Sequence, residues 1–219
     1  MQMTPFARLS ALAVPFDEPN VDTNQICPTR FNKVPRGPEY QRILFHDRRF
    51  NADGTEKPDF ILNRPPYRHA EIIVADRNFG CGSSRETAVY ALATFGFKAV
   101  IASSYGDIFF NNCFKNGVLP IILPNEICVA LRAQLHAHQG AGLTVDLDAQ
   151  TVTDVEGKEH SFDVHPLRKK SLISGLDDIA LTTSFTDRIL EFEAVYKAEK
   201  PWLDRGSVAM AASFGHSKA

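Results

Sequence analysis

Asn78-Phe79-Gly80-Cys81-Gly82-Ser83-Ser84-Arg85-Glu86 joins Glu71-Ile72-Ile73-Val74-Ala75, an apolar β-rich run, to Thr87-Ala88-Val89-Tyr90-Ala91-Leu92-Ala93, which reads as a helix. A glycine-rich turn between strand and helix lets the backbone approach a ligand and points the first helical N–H groups at an anion. Two hydroxyls and a guanidinium stand where that anion would lie. Arg85 can grip a carboxylate through two parallel hydrogen bonds, and Ser83 lies beside it as a proton acceptor. Gly82 and Ser84 complete the substrate-facing set. The stretch predicts a carboxylate site with chemistry attached.

Other readings of these nine residues are weaker. A dinucleotide fingerprint needs a third glycine where Arg85 stands, and the following strand ends Ala102-Ser103-Ser104, without the ribose-binding acid. No Gly-Lys-Ser/Thr is present, which removes a P-loop. A cap by Ser83 or Ser84, with Glu86 completing it, is compatible with a binding role.

Outward from this turn the pattern becomes βαβαβα: strand 71–76, helix 84–95, strand 97–103, helix 105–115, strand 118–123, helix 125–138. Short connections and intervening helices predict parallel strands with right-handed crossovers. Upstream, a strand over Arg8–Val14 leads into a long irregular segment reaching Pro66, the kind of loop that is usually functional in a compact domain. Downstream, 142–148, 151–155 and 159–164 read as a β-meander turning at Glu156-Gly157-Lys158. Helices follow near 166–174 and 184–199. Ile189, Leu190, Phe192, Val195 and Tyr196 recur at helical spacing, which predicts core packing for the last one. The fold class is α/β, with mixed strands, a parallel βαβ core and the meander. A single domain over 1–202 and a flexible C-terminal tail over 203–219 are expected.

The 219 residues suffice for one sizeable core. Apolar residues at 44%, charged residues at 23% and a net charge of −2 suit a globular protein and give no reason to expect nucleic acid or an anionic membrane. No apolar run approaches the roughly 20 residues that span a bilayer. Cys27, Cys81, Cys113 and Cys128 lie far apart without a Cys-x-x-Cys, which argues against a metal site on this chain and for reduced thiols in a cytoplasmic protein. Cys81, near a helix start, is expected to have a lowered pKa.

Gly80-Cys81-Gly82-Ser83-Ser84-Arg85-Glu86 resembles the signature of the small subunit of 3-isopropylmalate dehydratase, in the aconitase superfamily. Asn20-Val21-Asp22-Thr23-Asn24, Phe45-His46-Asp47-Arg48-Arg49-Phe50, Gly106-Asp107-Ile108-Phe109, Asn116-Gly117-Val118-Leu119-Pro120 and Ser174-Gly175-Leu176-Asp177 match in the same order. The likeness covers most of residues 6 to 202.

The resemblance implies a swivelling β/β/α domain and a hydro-lyase that interconverts 2- and 3-isopropylmalate in leucine biosynthesis. It implies no metal on this chain, a [4Fe–4S] cluster on a separate large subunit, and an active site formed where the two chains meet. Ser83 matches the family's serine base and Arg85 its carboxylate-binding arginine, with Ser84 as a supporting donor. Phe31–Tyr40 matches the loop that recognises the substrate side chain, and places Lys33, Arg36 and Tyr40 among its polar members. Three positions depart from the pattern. Thr87 stands for a histidine, Asn24 for an acid and Cys27 for an aliphatic residue. These changes leave the substituted malate open between isopropylmalate and a dimethylmalate or citraconate type. A non-catalytic anion-binding module is the alternative from another class.

Overall fold

The first strand of the chain lies inside the sheet and pairs in opposite senses along its length. In the computed structural model, which describes residues 4–83 and 85–203, β1 (Arg8–Phe16) runs parallel to β2 (Ile72–Ala75) through Ala13–Phe16. Its earlier half, Arg8–Leu12, pairs antiparallel with β5 (Gly142–Asp146). With β3 (Ala99–Ala102), β4 (Leu119–Ile122), β6 (Thr151–Thr153) and β7 (Glu159–Ser161), the sheet order is β4-β3-β2-β1-β5-β6-β7. The β1 to β4 half is parallel and the β5 to β7 half is the expected meander.

The helices are α1 (Thr23–Ile26), α2 (Tyr40–Ile43), α3 (His46–Arg49), α4 (Glu86–Phe95), α5 (Asp107–Lys115), α6 (Asn125–Ala137), α7 (Pro166–Ser174), α8 (Asp178–Thr183) and α9 (Thr186–Glu199). Every residue of β2 and β3 is buried, because helices cover both faces of the parallel half. Ile73 and Ala75 enter one core with Ala88, Val89 and Leu92 of α4 and with Ile26, Tyr40 and Phe45. Ile72 and Val74 enter the other with Cys128, Leu131 and Leu135 of α6 and Leu172 of α7. The period of two along β2 thus assigns alternate residues to opposite cores.

The segment expected to be irregular to Pro66 holds three one-turn helices, α1 to α3. The buried Arg49 organises it: its guanidinium donates to Asn63 Oδ1 at 3.1 Å and to the carbonyls of Gln41 and Leu44 at 2.6 and 3.3 Å. Asn63 donates back to the carbonyls of Arg49 and Lys57. A buried cation is tolerated when its donors are met, and these acceptors tie the loop to itself.

The chain divides into two compact units, Met1–Asp177 and Asp178–Ala219. In the second, α8 was not anticipated, and the core packing expected for α9 is overturned: none of its residues is buried, and Phe192 is 64% exposed. An apolar stripe marks a face to be covered but does not say by what. Of the tail expected over 203–219, residues 204–219 lie outside the described residues.

Candidate active site

The glycine turn is clamped from both sides. Gly80 N donates to the Val21 carbonyl at 2.7 Å, Thr23 N to the Cys81 carbonyl at 3.1 Å, and Gly106 N to the Phe79 carbonyl at 3.1 Å. Thr23 Oγ1, on a buried residue, donates to the Ser83 carbonyl at 3.2 Å. Asp22 caps α1 by accepting from Gln25 N at 2.7 Å, which fixes the segment that grips the turn. Gly80 and Gly82 have φ of 71° and 84°, in the left-handed region. Gly82 and Ser83 are exposed on the outer side of the turn. Ser84, expected as a substrate donor, lies outside the described residues.

The helix begins later than the sequence suggests. The N-cap of α4 is Arg85, in extended conformation and without a side-chain cap bond, so Ser83 is not at the N-cap position. Glu86 does not complete a cap either, because its Oε1 accepts from Asn116 Nδ2 at 2.9 Å.

Arg85 reaches back across the turn to the α1 region. One guanidinium nitrogen, Nη1, donates to Thr29 Oγ1 at 2.8 Å and to Asn24 Oδ1 at 3.3 Å, and Thr29 donates its own proton to Asn24 Oδ1 at 2.7 Å. Among the described residues no carboxylate pairs with Arg85. Sequence reasoning marked Asn24 only as a departure from a pattern and missed Thr29. They lie 61 and 56 residues from Arg85 along the chain, and no local period links them.

Arg36 falls elsewhere. Its guanidinium donates to Asn116 Oδ1 at 3.0 Å and lies 4.4 Å over the ring of Tyr90, one turn along α4 from Glu86. It also lines a cleft of about 350 Å³ with Arg8, Lys98, Lys115 and the C-terminal ends of α4 and α5. Arg36 is thus linked to the start of α4 through the chain Arg36–Asn116–Glu86, and to the same helix through Tyr90. Tyr40 is buried and donates to the Val34 carbonyl at 3.0 Å, a structural role, while Lys33 is exposed.

The thiols are not activated. Burial pushes the Cys81 thiol up, and the nearby Asp22 carboxylate adds to this, which corrects the lowered value expected from its position. Burial likewise raises Cys27, against the opposing influence of a bond to Thr87 and the charge of Arg85. Among the described residues no group of three or more His, Cys, Asp or Glu side chains could hold a metal ion. No helix there is long and apolar enough to cross a membrane.

Comparison with known proteins gives the family. Residues 3–126 match the Aconitase C-terminal domain and residues 129–166 match LeuD_N. The 3-isopropylmalate dehydratase small subunit of Gluconacetobacter diazotrophicus is 47% identical over 203 residues, covering 93% of this chain and 98% of its own. The chain belongs to the 3-isopropylmalate dehydratase small subunit family. Its counterpart in Paramagnetospirillum magneticum is 48% identical over 201 residues, 92% of this chain and 100% of that one. The solved 3-isopropylmalate dehydratase (leuD) of Methanocaldococcus jannaschii superposes with a TM-score of 0.61 at 24% identity, over 84% of this chain and 99% of that one. The swivel-type fold expected for the family is the one observed here.

Proposed function

We propose that this chain is the small subunit of a hydro-lyase that interconverts 2- and 3-isopropylmalate in leucine biosynthesis, in the cytoplasm, and that it acts with a large-subunit partner. The observation that carries the reading is the exposed turn. Ser83 is exposed two residues before Arg85, whose guanidinium has no carboxylate partner among the described residues, in a chain that aligns with the family's small subunits over 93% of its length.

Arg85 holds a substrate carboxylate through its planar fork. Ser83 takes the carbon-bound proton, and the positive Arg85 together with the N–H groups opening α4 lowers the energy of the alkoxide it needs. Gly82 gives the substrate room at the backbone, with Ser84 as an additional donor. Departure of the hydroxyl leaves an alkene, and water returning to the neighbouring carbon completes the isomerisation. Arg36 is assigned to the wall of the substrate side-chain region, reaching it through Asn116. The thiols do not fit a [4Fe–4S] cluster, three of the four being buried and no three possible ligands lying together among the described residues, so the cluster is assigned to the large subunit.

The test compares the purified chain with the assembled pair. The chain alone should carry no stoichiometric iron and turn over no isopropylmalate, while the pair converts 2-isopropylmalate to its isomer. Activity of the isolated chain overturns the reading, and a pair that prefers dimethylmalate or citraconate assigns the chain to a paralogous dehydratase.

A further inference from the structure

We propose that Asn24 and Thr29 are positioning residues for Arg85, a cradle of acceptors that aims the guanidinium at a carboxylate of the substrate. The inference rests on the function proposed above and adds two residues to it. Thr29 Oγ1 accepts from Arg85 Nη1 at 2.8 Å and donates to Asn24 Oδ1 at 2.7 Å, while Asn24 Oδ1 also accepts from Nη1 at 3.3 Å. A hydroxyl has one proton and two lone pairs, so Thr29 serves both neighbours without conflict. Nη1 is thereby occupied. Nε and Nη2 have no hydrogen-bond partner among the described residues, and those two nitrogens form one edge of the fork that binds a carboxylate bidentately.

The resemblance puts an acid where Asn24 stands, and a carboxylate oxygen accepts from Nη1 as the amide oxygen does, so position 24 supplies an acceptor whatever its charge. Asn24 is on α1, whose cap Asp22 lies beside the turn, and Thr29 follows within the next turn of chain. The same segment that clamps the glycine turn therefore also aims its arginine.

The experiment has two arms. In the assembled enzyme, Thr29→Val should raise the KM for isopropylmalate about 10-fold or more, the equivalent of one lost hydrogen bond to a charged group, with the melting temperature preserved. Thr29→Ser, which keeps the hydroxyl, should restore it. Asn24→Ala, which removes the acceptor, should raise KM to a similar degree, while Asn24→Asp, which keeps one, should not, and this pair keeps the test decisive if the valine variant does not fold. Unchanged KM in Asn24→Ala, or equal loss in the valine and serine variants, overturns the proposal. In the second arm, the Nη signals of Arg85 are observed by ¹⁵N NMR in the full chain alone. Restrained Nη rotation in the wild type that is released by Thr29→Val supports the cradle; free rotation in the wild type removes it. Because the second arm needs no turnover, a wild-type pair inactive on every substituted malate would sink the proposed function while leaving the cradle to be decided by NMR.

Discussion

The bare Cα of Gly80 faces the ring of Phe109: a Cβ built on Gly80 would lie 2.2 Å from Phe109 Cγ. Phe109 is fully buried on α5 and also meets Phe79 edge-on, with ring centroids 5.7 Å apart. The ring therefore cannot retreat without disturbing the core beneath the turn. Close approach and the positive φ both demand glycine here.

Gly80→Ala should destabilise the chain by about 2–4 kcal/mol, adding overpacking to backbone strain. Chemical denaturation of the full chain checks it. A variant within about 0.5 kcal/mol of wild type would mean that the turn is free to shift away from the ring.

Ser83→Ala in the assembled enzyme should lower kcat by about 10²–10⁴-fold, the usual contribution of a positioned base. The serine is exposed and its carbonyl, not its side chain, is held by Thr23, so the substitution should leave stability unchanged. Steady-state kinetics with isopropylmalate tests this, and near-normal kcat would remove the serine from the base role.

Arg85→Lys should damage both KM and kcat although the charge is kept, because lysine cannot supply the planar fork. If Arg85 were only structural, the melting temperature would fall and the kinetics would hold. Measuring both on one preparation separates the outcomes.

Asp154 is a buried acid in the meander. Burial raises its pKa, but this is outweighed by hydrogen bonds from His160, Lys158 N, Gln134 and Glu156 N, so the net shift is downward from 3.8. A folded-state pKa below the unfolded one gives stability that is present above the ordinary aspartate range and lost as pH falls through the depressed value. Asp154→Asn should cost about 1–3 kcal/mol near neutrality, since its amide would face the donors of Gln134 and His160. It should also flatten the acid limb of stability against pH. Denaturation series from pH 7 to pH 2 check both; an unaltered acid limb would mean that other carboxylates set it.

What could be read along the chain follows from how local each signal is. The buried runs of β2 and β3 need helices on both faces, and the intervening helical stretches announce them, so the parallel half was legible. Ile189, Phe192 and Tyr196 show the limit of the same logic, because a stripe implies a covered face and α9 has none buried. The helices α1 to α3 were illegible because four residues barely complete one turn, and Arg49 of α3 is tied to α2 through carbonyls that no side-chain pattern encodes. At the site, the proposed serine and arginine stand in one contiguous stretch, so a local reading could single them out. Thr29 and Asn24 arrive from a distant segment, and Arg36 is held by Tyr90 and Asn116, neither of which a spacing rule would pick out.

The central place of β1 has a consequence during synthesis. The strand leaves the ribosome before either neighbour, so Ala13 must wait for Ile72, and Arg8 for Asp146, before its two edges are covered. Until then a nascent chain carries an open template with apolar residues on both faces, the situation in which strands add to the wrong neighbour. Pairings this distant in sequence close slowly, so most of the chain must emerge before the sheet can be completed from its middle outward.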